Sequence, residues 1–355
     1  MKKLLLAAFI SAFALSASAL VSEPTQSKSA HLLAPEYQDL SALTALGNLD
    51  AMIAQADLAN PDQTRAILQK INADLLKQNL ATAPHATSKL TAPKAGDQPA
   101  VDMYVFEPKV RAAKSPVIYF IHGGGYLVGN AVQQNAELFE LADQVGAVVV
   151  SVEYRQAGDA PFPADINDAY HALSYVFDNA ESLGFDEDKI IIMGESAGGG
   201  LAARLALKVR DVGEYQPAGQ VLIYPMLDHR TGTPQSPYAN DYAGEFVWKP
   251  EYNHLGWGLL KSGQDISDDD LPYYSASMAK ELTGLPRTYI MVGGLDLFVN
   301  EDIDYTNRLI QAGVATDLQV INGVYHAFEK VDPASPQTKA YHAARTEAIK
   351  GMLNP

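Results

Sequence analysis

The sequence predicts an α/β protein built on a mostly parallel central sheet with helices on both faces. Three observations carry this. Short apolar runs recur at 117–121, 147–152, 190–193, 221–224 and 289–292 without polar alternation, as strands covered on both sides require. Helical spacing fills the gaps near 133–144, 165–181, 197–210 and 302–312, and strand–helix alternation marks a parallel sheet. The 355 residues, 47% hydrophobic and 19% charged, suffice for one large core or two domains.

The elements follow in order. Met1-Lys2-Lys3, an apolar run over 4–15 and the small-x-small Ala17-Ser18-Ala19 read as an export signal, 1–19. The run is short for a span that needs about 20 residues. The expected mature protein is therefore periplasmic or secreted, in a bacterium, with no membrane attachment. The chain has no cysteine, hence neither a lipid-bearing thiol nor a disulfide framework. Residues 20–35 read as a mobile lead-in. Helical spacing runs from about Glu36 to Leu80, with Leu40, Leu43, Leu46 and Leu49 first and Ile67, Leu68, Ile71 and Leu75 after the break at Asn60-Pro61. Residues 81–100, rich in Ala, Pro, Thr and Lys, read as a linker. Residues 101–106 alternate like a half-buried strand and open the main domain, 101–355. A stretch at about 228–270, rich in Tyr, Pro and Gly and holding Trp248 and Trp257, reads as an insertion over the sheet. A short strand is expected at 317–321 and a closing helix at about 336–353.

Charge excludes some partners. Lys+Arg 26 against Asp+Glu 42 leaves a net charge of −16, which repels phosphate backbones and anionic membrane surfaces. Nucleic acid is not an expected partner.

Open parallel sheets place functional residues at the carboxyl ends of their strands. The run at 190–193 leads straight into Gly194-Glu195-Ser196-Ala197-Gly198 and then a helical pattern, the setting of a nucleophile elbow. Ser196 is the candidate nucleophile. The run at 117–121 ends in His122-Gly123-Gly124-Gly125-Tyr126. Glycines let the backbone approach a substrate and turn its N–H groups inward, so Gly123, Gly124 and Ala197 are assigned to an oxyanion hole. A phosphate loop is the rival, but the Lys-Ser/Thr ending and dinucleotide spacing are missing. His122 reads as a loop anchor. A serine needs a base, and the base an orienting carboxylate. Asp296 ends the 289–292 run. His326 alone of the eight histidines follows a late strand in a loop: His171 and His342 fall in helices, His31 and His85 near the N-terminus, His229 and His254 in the insertion. The order Ser196, Asp296, His326 is the one a nucleophile-elbow fold uses. Tyr126, Phe246, Trp248, Trp257 and Phe298 are candidates for the substrate pocket wall.

His122-Gly-Gly-Gly125, Tyr154-Arg155, Gly194-Glu-Ser-Ala-Gly-Gly199, Asp296-Leu-Phe298 and Tyr325-His-Ala-Phe328 together resemble the hormone-sensitive-lipase-like esterases, bacterial family IV of the α/β-hydrolase superfamily, over about residues 100–330. The resemblance implies an α/β-hydrolase fold with a helical cap built from the N-terminal helices and the insertion. It also implies hydrolysis of short- to medium-chain acyl esters without a cofactor; dimers are common in that family, so a homodimer is among its implications. Two departures stand out. Gln156-Ala157-Gly158-Asp159 replaces the usual Leu-Ala-Pro-Glu run, and Asn300 stands where a second aspartate is common.

The expected activity is a serine carboxylesterase acting on a small-molecule ester through an acyl-enzyme. No metal is expected, since His326-Ala-Phe-Glu329 lacks the second histidine of a zinc motif. An amidase or acyltransferase would use the same residues, and a binding protein with a dead site would keep the fold.

Overall fold

The structure, a computed structural model, describes residues 27–41, 43, 56 and 58–354. The expected export signal, Leu46 and Leu49 lie outside these residues. Eight strands form one sheet: β1 (Ser88–Ala92), β2 (Val101–Phe106), β3 (Ser115–Ile121), β4 (Val148–Val152), β5 (Phe185–Glu195), β6 (Gly219–Ile223), β7 (Thr288–Gly293) and β8 (Thr316–Ile321). Their order is β1-β2-β4-β3-β5-β6-β7-β8. β1, β2 and β4 pair antiparallel, and every junction from β4 to β8 is parallel. The apolar runs are strands because both faces are covered: β4, β6 and β7 are buried at every position.

The principal helices are α1 (Pro61–Leu80), α2 (Asn135–Val145), α3 (Ala164–Asp178), α4 (Ala197–Val212), α5 (Pro250–Lys261), α6 (Val299–Gln311) and α7 (Pro336–Leu353). Proline opens α1, α5 and α7, where its missing N–H costs nothing. Left-handed Gly146 and Gly213 close α2 and α4. Inside, Arg204 of α4 and Asp165 of α3 form a fully buried ion pair at 2.6 Å. Removing one partner of such a pair costs about 3–5 kcal/mol.

Three expectations are corrected. The linker at 81–100 contains β1, an edge strand too polar to be seen as one; only Ala92 of its five residues is buried. Polar, charged edges of this kind discourage unwanted strand pairing. β2 is buried almost throughout rather than half-buried. The lead-in is bound to the body from Ser27 onward. The Glu245 carboxylate accepts hydrogen bonds from the hydroxyls of Ser27 and Ser29 and from the Lys28 and Ser29 N–H groups. Tyr37 is fully buried, with its ring 5.7 Å from that of Tyr325 and its hydroxyl 2.7 Å from Ser335 Oγ.

α1 lies over the loops at the carboxyl end of the sheet. Arg65 donates to the carbonyls of Ala157 and Leu259 at 3.1 Å, and Gln69 to that of Gly158 at 3.0 Å. One helix thus ties the loop after β4 to α5 of the insertion. The departure at Gln156-Ala157-Gly158 is the contact that α1 uses. Asn300 in turn accepts the Asn240 side-chain amide at 2.8 Å, joining α6 to the insertion loop.

Candidate active site

The strand order reverses between β3 and β5, and the crevice at such a switch point is where open α/β sheets bind ligands. Both glycine-rich loops open there. β5 ends at Glu195 and α4 begins at Ala197, so Ser196 occupies the whole turn, at φ 57° and ψ −123°. This conformation is costly for a non-glycine residue. Its surroundings enforce it: the Ser196 N–H donates to the Ile223 carbonyl at 2.9 Å, and the Ser196 carbonyl accepts from Met226 and Gly200. The flanking glycines are needed for space. A Cβ on Gly194 would stand 2.1 Å from the Gly198 oxygen, and one on Gly198 would stand 2.2 Å from that of Ile121.

Asp296 and His326 come from neighbouring loops after β7 and β8. The Gly294 N–H donates to the Ile321 carbonyl at 2.7 Å and that of Leu295 to Val324 at 2.9 Å, which stitches the two loops together. Asp296 is fully buried. One of its oxygens accepts the Phe298 N–H at 3.0 Å, and the other lies 2.8 Å from His326 Nδ1. His326 Nε2 lies 2.9 Å from Ser196 Oγ. A carboxylate accepts only, so Nδ1 carries the proton and Nε2 is free to accept from the serine hydroxyl. The three residues picked from strand ends, spread over 130 positions, meet in one hydrogen-bonded line.

The oxyanion loop folds back over the elbow. A Cβ on Gly123 would lie 3.2 Å from Ser196 Cβ, so that backbone runs beside the nucleophile. Gly124 adopts φ 132°, and a side chain there would strike the Val128 carbonyl at 1.6 Å. Among the described residues no acceptor takes the N–H of Gly123, Gly124 or Ala197. His122 acts as the anchor. Its Nδ1 lies 2.9 Å from the Gly123 oxygen, its ring stacks on Tyr154 at 4.5 Å, and the Tyr154 hydroxyl donates to its carbonyl. Burial lowers its pKa to about 4, so it stays neutral at physiological pH.

The five aromatic candidates divide. Trp248 and Phe298 reach the His326 ring, at 6.2 Å and 5.4 Å between centroids. Tyr126 and Trp257 pack on each other at 5.3 Å, and Tyr126 lies beneath the Arg204 guanidinium. Phe246 packs against Tyr325 at 5.5 Å. All three are buried, Tyr126 and Trp257 in one apolar cluster and Phe246 in another.

Sequence reasoning missed two neighbours. Tyr224, directly after β6, lays its ring 4.6 Å from that of His326; its place at a strand's carboxyl end was the available signal. Asn72 of α1 donates to the Leu127 carbonyl at 3.0 Å and accepts the Gly129 N–H at 3.2 Å, so it holds the far end of the oxyanion loop. A lone polar residue in a helical pattern gives no such signal.

Comparison with known proteins identifies the fold and family. The family described as alpha/beta hydrolase fold matches residues 118–330. A carboxylesterase, NlhH of Mycobacterium tuberculosis, is 32% identical over 249 residues, covering 67% of this chain and 75% of that one. An ethyl acetate hydrolase of Pseudomonas putida is 29% identical over 221 residues, covering 62% and 68%. The solved structure of a bacterial heroin esterase superposes with a TM-score of 0.73 at 31% identity, covering 92% of this chain and 99% of that one. The chain belongs to the hormone-sensitive-lipase-like esterases of the α/β-hydrolase superfamily and is a carboxylic ester hydrolase acting on small-molecule esters.

Proposed function

We propose that the protein is a serine carboxylesterase that cleaves short- to medium-chain acyl esters through an acyl-enzyme on Ser196. The observation that carries this is the continuous line Ser196 Oγ, His326 Nε2, His326 Nδ1 and Asp296 Oδ2, with contacts of 2.9 and 2.8 Å. In the first half-reaction His326 takes the serine proton as Oγ bonds to the ester carbonyl carbon. The N–H groups of Gly123, Gly124 and Ala197 receive the oxyanion, preorganised donors of the kind that supply much of the rate in acyl transfer. Collapse breaks the bond to the alcohol, which leaves with the proton from His326. Water then repeats the sequence: His326 takes its proton, the hydroxide attacks the acyl carbon, and Ser196 recovers the proton as the acid departs. Asp296 remains ionised and fixes the imidazole tautomer.

Trp248 and Phe298 beside His326 favour a small acyl group, and a relative named for ethyl acetate points the same way. The N-terminal leader, Met1-Lys2-Lys3 followed by an apolar run, supports export to the periplasm or beyond. Initial rates on p-nitrophenyl acetate, butyrate, octanoate and palmitate, with Ser196→Ala alongside, test the reading. Rates should peak at the short esters and vanish in the variant. A peak at palmitate would overturn the chain-length assignment, and full activity in Ser196→Ala would overturn the mechanism.

A further inference from the structure

A half-buried ionic cluster, with Glu195 and Glu329 inside and Glu137 at the surface, lies behind the nucleophile elbow and uses none of the three residues in the catalytic line. Its centre is Lys330, in the single helical turn Phe328–Val331 that follows the His326 loop. The Lys330 ammonium pairs with Glu137 of α2 and lies 3.7 Å from a Glu195 oxygen and 3.8 Å from one of Glu329. Glu195 is the residue immediately before Ser196, and its side chain is only 7% exposed. Glu329 is three residues after His326, and it accepts the Tyr224 hydroxyl at 2.6 Å. Tyr224 is itself held at φ 36°, unusual for a large side chain and a form of strain that gathers at functional sites. Its ring stands beside that of His326, tilted by 60° with centroids 4.6 Å apart.

We propose that Lys330, Glu329 and Tyr224 form a positioning brace that locks the histidine loop to the nucleophile elbow. This rests on the catalytic reading above. The cation joins a carboxylate at the elbow to one on the histidine loop, and the second carboxylate continues through Tyr224 to the imidazole ring. Without the ammonium, Glu195 and Glu329 would keep the nearby Arg345 guanidinium and the Gln134 amide on Glu195 at 3.2 Å, but would lose the cation that lies between them and offsets their mutual repulsion. The two loops would separate along the line that keeps Ser196 Oγ and His326 Nε2 at 2.9 Å. Misplacement of reacting groups by about 1 Å can cost on the order of a hundredfold in rate. Burial opposes the charge on Lys330, but the surrounding carboxylates outweigh it and raise its pKa, so the ammonium persists. A cavity of about 80 Å³ borders Glu137, Glu195, Glu329 and Lys330, room for water to complete the solvation of these ions.

The test is kcat and KM of Lys330→Met, Lys330→Arg and Tyr224→Phe on p-nitrophenyl butyrate, with Tm for each. We expect Lys330→Met to lower kcat at least about tenfold with KM within twofold, and Lys330→Arg to restore most of it. Tyr224→Phe keeps the ring against His326 and loses only the bond to Glu329. It should lower kcat about three- to tenfold at unchanged KM, and it decides the matter if Lys330→Met does not fold. Wild-type kcat in folded Lys330→Met or Tyr224→Phe would overturn the brace, as would an arginine variant that regains Tm but not kcat. Ser196→Ala keeps the two ideas apart. If it is inactive while the brace variants retain full rate, only the brace fails; if it retains activity, the catalytic reading fails first.

Discussion

The Asn72 side-chain oxygen accepts the N–H of Gly129 at 3.2 Å, while its amide donates to Leu127 at 3.0 Å. A helix outside the sheet therefore holds the loop that carries Gly123 and Gly124. Removing both bonds loosens the loop's far end, which Gln156 and Ala157 still hold through the Gly129 and Tyr126 carbonyls, without touching the catalytic line. Asn72→Ala should lower kcat about tenfold, by loss of preorganised donors. Steady-state kinetics check this, and an unchanged kcat would mean that the glycine run holds itself.

Gly124 tolerates no side chain. At φ 132°, with the Val128 carbonyl 1.6 Å from any Cβ, Gly124→Ala must displace the backbone. Losing one oxyanion donor costs roughly 10²–10³ in kcat, and that is the expected loss. Thermal unfolding should still show a folded protein, since the change lies in a loop rather than the core.

Trp248 stands over the same loop: a Cβ on Gly125 would meet its Cη2 at 2.0 Å. Its indole N–H donates to Asn253 at 3.3 Å, which fixes the ring beside His326. Trp248→Ala should open the pocket and raise the octanoate-to-acetate rate ratio about tenfold, each accommodated methylene being worth about 1–3 kcal/mol. An unchanged ratio in the p-nitrophenyl ester series would place the acyl group elsewhere.

Glu153 gives a pH signature. Its carboxylate accepts the Ala131 N–H at 2.8 Å, yet burial pushes its pKa up from 4.5 to about 7. Between those values the folded state keeps a proton that the unfolded chain has released. The site thus costs stability increasingly as pH rises through this window, and in full above it. Glu153→Gln should be nearly neutral at pH 4.5 and stabilising by on the order of 2 kcal/mol at pH 8. Urea unfolding at the two pH values measures it; an equal effect at both would contradict the assignment.

The sequence displayed what backbone chemistry forces. Strands buried on both faces must be continuous apolar runs, so the strands from β3 to β7 were legible, and the sharp turns at Ser196 and Gly124 must be glycine-rich. β1 was hidden because an edge strand need bury only Ala92. The aromatic residues show the other limit. Trp248 and Trp257 lie nine positions apart in one insertion, but one reaches His326 and the other packs on Tyr126. Which way a side chain points depends on partners distant in sequence, as it does for Asn72 on Gly129 and Tyr224 on Glu329. The Ser27–Ser29 segment reads as a lead-in for the same reason: its partner, Glu245, is more than 200 residues away.

The most direct measurement is covalent labelling with a p-nitrophenyl phosphonate, whose phosphorus mimics the tetrahedral intermediate, followed by intact and peptide mass analysis. One phosphonyl group per chain is expected, carried on the peptide containing Ser196, with loss of esterase activity in step. Ser196→Ala should take up none, and His326→Ala should label at least about a thousandfold more slowly. Label on any other residue accompanying inactivation, or full labelling of the Ser196→Ala variant, would contradict it.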